Sequence, residues 1–379
     1  MNGPKMTGAS KPSDTDTAHM RAALTLAARG LGRVWPNPAV GCVLVSPDQR
    51  VIARGWTQPG GRPHAETEAL RRAGAAAKGA TAYVSLEPCS HHGKTPPCAE
   101  ALIAAGIARC VVAIEDADTR VQGRGLETLR AAGVAVTVGP LRAEAGELNA
   151  GFFSRITSGR PLVALKIAST LDGRIALASG ESRWITGEAA RARVHLLRAR
   201  HDAVLIGSGT ALADDPELTC RLSGLEERRP VRILLDRNLS LPLTAKLVVS
   251  AASHPTWIVV GPDVAVARGT AYRDAGVELI EGSLDAKGRL DLTAVMAELG
   301  RRGLTRILVE GGSRLTAALL AEDLVDRLLW FRSPGIIGGD GIPAAAPLSL
   351  ASLTQMPRFQ RIAVETLGED LLESYKRGS

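Results

Sequence analysis

A chain of 379 residues, 45% hydrophobic and 22% charged, has the make-up of a globular protein, and its length suggests two domains of ordinary size. No run approaches the ~18 consecutive apolar residues of a membrane helix, and residues 1–17, rich in Gly, Ser, Pro, Thr and Asp, read as a disordered tail and not a signal peptide. A membrane partner is thereby excluded and a cytoplasmic location expected, while the net charge of +7, carried by scattered arginines in a chain with 3% aromatics, argues against a nucleic-acid groove and leaves arginines for anionic small molecules.

Beyond the tail, a helical pattern covers 18–31, opened by the caps Asp16 and Thr17 and closed by Gly30 and Gly32. Apolar runs at 40–45 and 51–56 flank the turn Ser46-Pro47-Asp48-Gln49-Arg50 and predict a hairpin. A helix over 64–73, stopped by Gly74, precedes a strand at 81–86. A helix at 98–105, a strand at 109–115, a helix at 125–132 and a strand at 134–138 complete this half. The alternation implies a mainly parallel sheet covered on both faces.

The likeliest junction is 152–160, where Ser158 and Gly159 precede Pro161, dividing the chain into domains at 18–158 and 159–379. Apolar strands then recur from 162 and at 203–206, 231–235, 257–260, 306–309 and 327–331. The second half is therefore also α/β, and with no internal repeat the halves are two different domains.

Five cysteines, an odd number, make no disulfide framework. Two of them belong to the most specific feature of the chain: HAE at 64–66, then EPCSHHGKTPPC at 87–98. His64, Cys89 and Cys98 offer one imidazole and two thiolates, a three-ligand set that leaves the fourth zinc position open for water, whose pKa the metal lowers towards ~7. Glu66, two residues after His64 at a helix start, reaches the same cavity without ligating and is the expected acid/base. Cys98 opens a helix, where the dipole favours a thiolate. Each residue alone is as readily a helix-start or buried packing residue; the order HAE after a hairpin and PC after the next strand is what makes the set specific. His91 and His92 read as loop residues.

With these motifs the first half resembles the cytidine-deaminase-like superfamily, and the eight-residue filling SHHGKTPP between the cysteines resembles its riboflavin-biosynthesis branch. PNPAVGCVLV at 36–45 and GATAYVSLEPCSHHGKTPPCAEALIAAGI at 79–107 carry the likeness. The second half resembles that family's reductase domain, through LKIASTLDGRIA at 165–176, SRWITG at 182–187, RARHDAVLIGSGTALADDPELTCR at 198–221 and LVEGGSRL at 308–315. The resemblance implies a cytidine-deaminase-like α/β/α domain followed by a dihydrofolate-reductase-like α/β domain.

It further implies Zn2+ and NADPH as cofactors, with Asn37, Lys94 and Asp116 contacting the deaminase substrate. In the reductase it places Lys166, Ser182, Arg198, Leu218, Arg221 and Glu310 on the substrate. Ala168, Trp184, Thr210, Asp214 and the run Gly312, Ser313, Arg314, Leu315, Thr316, Ala317 and Ala318 fall on the cofactor. Physically, EGGS before a helix offers backbone N–H groups to a pyrophosphate, and Arg198 and Arg221 suit a ribose phosphate. Read singly, Trp184 is as readily core, Arg198 a solvated helix face and Asp214-Asp215-Pro216 a turn.

The sequence departs from the family where Thr57 replaces a histidine and DADT at 116–119 replaces DPNP, so that Asp118 lacks an amide donor. The reaction implied is hydrolytic deamination of a phosphorylated ribosylaminopyrimidine, then reduction of its ribosyl group to ribityl. A nucleoside or nucleic-acid deaminase with an appended reductase, and a non-catalytic zinc scaffold, are the competing readings. Homo-oligomerisation is left open.

Overall fold

The computed structural model describes residues 12–91, 96–118, 122–264 and 266–378. The chain separates into two compact units, Met1–Ser158 and Gly159–Ser379. No helix among the described residues is long and apolar enough to cross a membrane.

The first unit opens with α1 (Asp14–Ala27), started by a reciprocal cap in which Ser13 Oγ accepts from the Asp16 N–H and the Asp16 carboxylate accepts from the Ser13 N–H. Residues 14–17 are therefore helical, not tail, and the cap is Ser13, not Asp16 or Thr17. Asp16 points inward instead, taking two hydrogen bonds from Arg109 and one from the Tyr83 hydroxyl. Burial opposes its charge, but these donors hold its carboxyl well below the usual carboxylate range. The helix ends at Ala27, and residues 28–30 tighten into a 3₁₀ turn.

Next come β1 (Gly41–Val45) and β2 (Val51–Trp56), the expected hairpin, followed by α2 (Ala65–Ala73), β3 (Thr81–Val84) and α3 (Cys98–Ala104). Then β4 (Arg109–Val112), α4 (Arg124–Ala131), β5 (Ala135–Val138), α5 (Arg142–Leu148) and α6 (Ala150–Ser158) complete the unit. The sheet order is β2-β1-β3-β4-β5. It is mixed and not mainly parallel, because the hairpin reverses the chain: β1 is antiparallel to both β2 and β3, and only β3, β4 and β5 run parallel. Side chains of β1 alternate between faces. Cys42 and Leu44 pack with Ala65, Ala69, Leu102 and Leu129 of α2, α3 and α4, whereas Val43 and Val45 pack with Met20, Ala23 and Ala145 of α1 and α5. The stretch expected as a linker, 152–160, is helical through Ser158.

The second unit holds β6 (Leu162–Ser169), β7 (Arg174–Ala176), α7 (Glu188–Arg200), β8 (Ala203–Gly207), α8 (Ser208–Asp214), β9 (Val231–Leu235), α9 (Lys246–Val249) and β10 (Thr256–Val260). It continues with α10 (Val266–Asp274), β11 (Glu278–Glu281), α11 (Leu292–Arg301), β12 (Arg306–Val309), α12 (Ser313–Ala321), β13 (Arg327–Arg332), β14 (Ile342–Pro343), β15 (Phe359–Leu367) and β16 (Asp370–Arg377). The nine-stranded order is β11-β10-β9-β8-β12-β6-β13-β16-β15, with β7 and β14 forming a small separate ladder. From β11 through β13 neighbours run parallel, and β16 and β15 add antiparallel.

All six strands anticipated in this half are present; β7, β11, β14, β15 and β16 were not anticipated. Because β8, β12 and β6 are adjacent and parallel, their carboxyl ends lie side by side at one edge of the sheet, the usual ligand position in such sheets.

Candidate active sites

In the first unit, His64 is the residue that caps α2, Glu66 lies in that helix's first turn, and Cys98 is the first residue of α3. Gly55 of β2 makes this placement feasible: a Cβ there would lie 2.2 Å from the Ala65 carbonyl oxygen, so only glycine lets α2 rest directly on the strand. Cys89 sits in the loop after β3, its carbonyl accepting from the Ala99 N–H and its sulfur from the Cys98 N–H at 3.3 Å.

Donor atoms of His64, Cys89 and Cys98 all lie within 4.8 Å of one another. His64 Nδ1 is 3.3 Å from Cys98 Sγ and 3.7 Å from Cys89 Sγ. Ligands on a tetrahedral zinc, with Zn–S ~2.3 Å and Zn–N ~2.0 Å, stand about 3.6 Å apart. A single ring nitrogen carries at most one proton for two sulfurs, so a shared cation explains the convergence better than hydrogen bonding, and the donor set fits zinc. A hydrogen bond from the Cys98 thiol, with His64 adding to it against the effect of burial, pulls Cys89 down to about 4. Burial first, then the Cys89 thiolate, pushes Glu66, 3% exposed, up to about 7.

Asn37 is half-buried against the turn that leads to His64: a Cβ at Gly61 would fall 1.9 Å from Asn37 Nδ2. Asp116 is buried, accepts from the Asp118 N–H, and donates its own N–H to Glu87. Burial, with Asp118 and Glu87 nearby, raises its carboxyl to about 6. Lys94 and His92 lie outside the described residues; His91 is exposed and is not one of the three converging donors.

Three residues support the site, and two of them, Glu87 and Asn149, carried no signal in the sequence. Glu87, 3% exposed, accepts from the N–H groups of Asp116, Gly123 and Gly125, tying the Cys89 loop to the Asp116 loop and to the start of α4. Asn149 accepts from the Ala39 N–H and donates to its carbonyl, pinning the Asn37 loop. Thr57, the departure from the family pattern, is buried; its hydroxyl accepts from the Val40 N–H and donates to the Pro38 carbonyl.

The second unit gathers Lys166 of β6, Arg198 of α7 and Glu310 after β12 into one cluster of charges. Arg198 donates from Nε at 2.6 Å and Nη2 at 2.9 Å to the two Glu310 oxygens, and from Nη1 to the Thr219 carbonyl at 3.0 Å. It is a largely buried ion pair, its side chains 12% and 11% exposed, and not a solvated helix face. Burial disfavours the Glu310 carboxylate, yet Arg198 and then Lys166 outweigh it and hold the group at about 2. Burial pushes the Lys166 ammonium below its ordinary value, with Glu310 pulling it back.

Leu218, buried with φ +54°, and Arg221 stand on either side of this anchored Thr219. The Arg221 guanidinium itself pairs with Glu217 on the surface. His195, one turn before Arg198, places Nδ1 3.1 Å from the Thr219 carbonyl oxygen, a neighbour the sequence did not single out.

Among the other expected positions, Gly312 caps α12 and lies against Thr210, whose Oγ1 would be 3.2 Å from an added Cβ. Ser313, Arg314 and Leu315 form the first turn beyond it; Thr316 and Ala317 are buried, Ala318 half-buried. Thr316 Oγ1 has no partner among the described residues, an orphan that a bound group beside this helix start can satisfy. Trp184 is 70% exposed, so it is not core, and the Arg191 guanidinium lies 4.6 Å from its ring centre. Arg183 beside it donates to the Asp214 carbonyl at the end of α8. Ser182 is half-buried before this pair, and Ala168 of β6 pairs with Phe331 of β13.

Comparison with known proteins gives these two sites a common context. The family model for the cytidine and deoxycytidylate deaminase zinc-binding region matches residues 13–114, and that for the RibD C-terminal domain matches residues 161–372. Riboflavin biosynthesis protein RibD of Escherichia coli K12 is 42% identical over 369 residues, covering 94% of this chain and 98% of that protein. Its namesake from Aquifex aeolicus is 40% identical over 364 residues, covering 96% and 99%.

Among solved structures, Acinetobacter baumannii RibD (form 1) matches with a TM-score of 0.86 at 38% identity, over 96% of this chain and 99% of that one. A Thermotoga maritima protein described as a diaminohydroxyphosphoribosylaminopyrimidine deaminase/5-amino-6-(5-phosphoribosylamino)uracil reductase matches with a TM-score of 0.83 at 35% identity, with the same coverage of each chain. With a His/Cys/Cys metal-donor set in its first unit, a match to the RibD C-terminal domain over its second and likeness along nearly its whole length, this chain belongs to the RibD family of bifunctional riboflavin biosynthesis enzymes.

Proposed function

We propose that the first unit hydrolytically removes the 2-amino group of 2,5-diamino-6-(5-phosphoribosylamino)pyrimidin-4-one. The second unit then reduces the ribosyl group of the resulting aminouracil to ribityl with NADPH. The observation that carries this reading is the convergence of His64, Cys89 and Cys98 beside the buried Glu66, in a chain whose remainder matches the RibD reductase domain.

Zinc, held by His64, Cys89 and Cys98, supplies the Lewis acidity that makes a water nucleophilic near neutral pH. Glu66, buried beside the three donors, is the side chain placed to take up a proton during hydrolysis and to return one to the departing amine. Asn37 and Asp116 orient the pyrimidine, and Lys94 contacts the same substrate. In the second unit NADPH supplies the hydride. Gly312 to Ala318, with Ala168, Trp184, Thr210 and Asp214, form its seat. Lys166, Ser182, Arg198, Leu218, Arg221 and Glu310 grip the substrate, Arg198 acting through the arrangement it imposes on Glu310 and Thr219. A small-molecule substrate, no nucleic-acid partner and a cytoplasmic location complete the reading. The five free cysteines fit a reducing compartment.

The test is to supply the diaminopyrimidinone phosphate with NADPH and follow ammonia and cofactor oxidation together. Ammonia is expected first, with an equal amount of NADPH consumed after a lag. Oxidation without ammonia, or ammonia from free cytidine or single-stranded nucleic acid at a comparable rate, contradicts the assignment.

A further inference from the structure

Residues 217–221, between α8 and β9, belong to no helix or strand, yet they carry Leu218 and Arg221 of the proposed substrate grip. Inward and outward positions alternate along them: Leu218 and Cys220 are buried, and Glu217 and Arg221 are exposed. Leu218 has φ +54°, a left-handed conformation that a leucine keeps only where its surroundings over-determine it. Its side chain packs in one core cluster with Val204, Ile206 and Leu234. Strain of this kind gathers at ligand clamps.

Without a sheet ladder, side chains must hold this backbone. From β9, Arg232 donates through Nη1 to the Glu217 carbonyl at 3.3 Å. Arg232 is itself anchored, donating also to Ser250 Oγ and to the Leu247 and His254 carbonyls. From α7 come Arg198, on the Thr219 carbonyl, and His195, one turn earlier on the same helix face.

His195 Nδ1 lies 3.1 Å from the Thr219 carbonyl oxygen and 3.4 Å from the Arg221 backbone nitrogen. One imidazole nitrogen donates to the carbonyl in one tautomer and accepts the N–H in the other, so either tautomer makes one tie to the segment. Burial, helped by Arg198 and Arg221, holds the imidazole below its ordinary value and so in the neutral form that has both tautomers. Arg198 divides its donors between Glu310 and Thr219, whereas the hydrogen bonds of His195 among the described residues go to this segment alone.

We infer that His195 is a positioning residue of the reductase, fixing the backbone from Thr219 to Arg221 against α7 so that the Arg221 guanidinium stands ready for the substrate's phosphate. The inference rests on the reading of Arg221 as part of the substrate grip. Because His195 does not touch Glu310, its loss should weaken substrate binding and leave the hydride step in place, the signature of a raised KM with kcat kept.

Steady-state NADPH oxidation with the aminouracil ribosyl phosphate, on the full chain, is the test. His195→Leu, which can neither donate nor accept, should raise KM for that substrate at least tenfold while kcat changes by less than about threefold. KM for NADPH and the rate of ammonia release should match the wild type, which reports that both units are folded. His195→Asn offers an amide where Nδ1 stood and should bring KM back to within about threefold of the wild type. A wild-type KM in His195→Leu, an equal loss of NADPH binding, or a His195→Asn as impaired as His195→Leu would each overturn the inference and leave the functional reading standing. A wild type that binds NADPH but oxidises none of it with this substrate would overturn both.

Discussion

Glu66→Gln should lower ammonia release by about 10²–10⁴-fold, the range expected when a positioned acid/base is lost, and leave NADPH oxidation with the aminouracil intermediate unchanged. Glutamine keeps the shape of a side chain that is 3% exposed, so the neighbourhood of α2 has no reason to repack. What disappears is a buried carboxyl, pushed above its ordinary range by burial, that can both accept and donate a proton. The zinc content should stay at the wild-type level, because the carboxylate is not among the three converging donors. Measuring kcat for each half-reaction on the same preparation checks the prediction; equal losses in both would mean a general structural defect, and no loss in deamination would remove Glu66 from its role.

Arg198→Met should have the mirror-image effect: reduction falls by about 100-fold or more, comparable to losing a key positioning interaction, while deamination persists. The change leaves the largely buried Glu310 without its bidentate partner and leaves His195 as the remaining side-chain neighbour of the Thr219 carbonyl. Breaking a buried pair from one side costs about 3–5 kcal/mol.

The pH dependence follows from the depressed Glu310 group. In the wild type its folded value, about 2, lies below that of the unfolded chain, so its stabilisation is fully present above the ordinary carboxylate range and is lost as pH falls towards 2. Without Arg198, burial is opposed only by the weaker pull of Lys166 and His195, and the carboxyl rises from its wild-type value. The stability gap between variant and wild type should therefore be largest near neutral pH and shrink in acid, which denaturant unfolding at about pH 7 and about pH 4 resolves. A gap that widens in acid would contradict the pairing.

The zinc donors were legible in the sequence because each is fixed by a local motif at an element boundary: HAE where α2 begins, PC after β3, and a cysteine opening α3. The alternating apolar runs likewise gave the inner strands of both sheets. Supports formed by distant residues were not legible. Glu87 acts by accepting from Asp116, Gly123 and Gly125, and Asn149 acts on Ala39; neither carries a spacing signature.

The Arg198–Glu310 pair joins residues 112 positions apart, and only the family resemblance pointed to its members. The first sheet proved mixed because a hairpin turn sets direction, a feature the strand–helix alternation does not encode. Strand β15 went unread since exposure on both faces erases the period-two pattern. At the amino end, Ser13 and not Asp16 caps α1, since the inward pull of Arg109 and Tyr83 on Asp16 is a tertiary effect.

X-ray absorption at the zinc edge, combined with metal analysis of the purified chain, bears most directly on the first site. One zinc per chain is expected, with two sulfur neighbours at ~2.3 Å and lighter N/O neighbours at ~2.0–2.1 Å, and with the signal lost in Cys89→Ser and Cys98→Ser. A chain that deaminates without zinc, or a zinc whose surroundings stay the same when either cysteine is replaced, would contradict the metal centre on which the deaminase assignment stands.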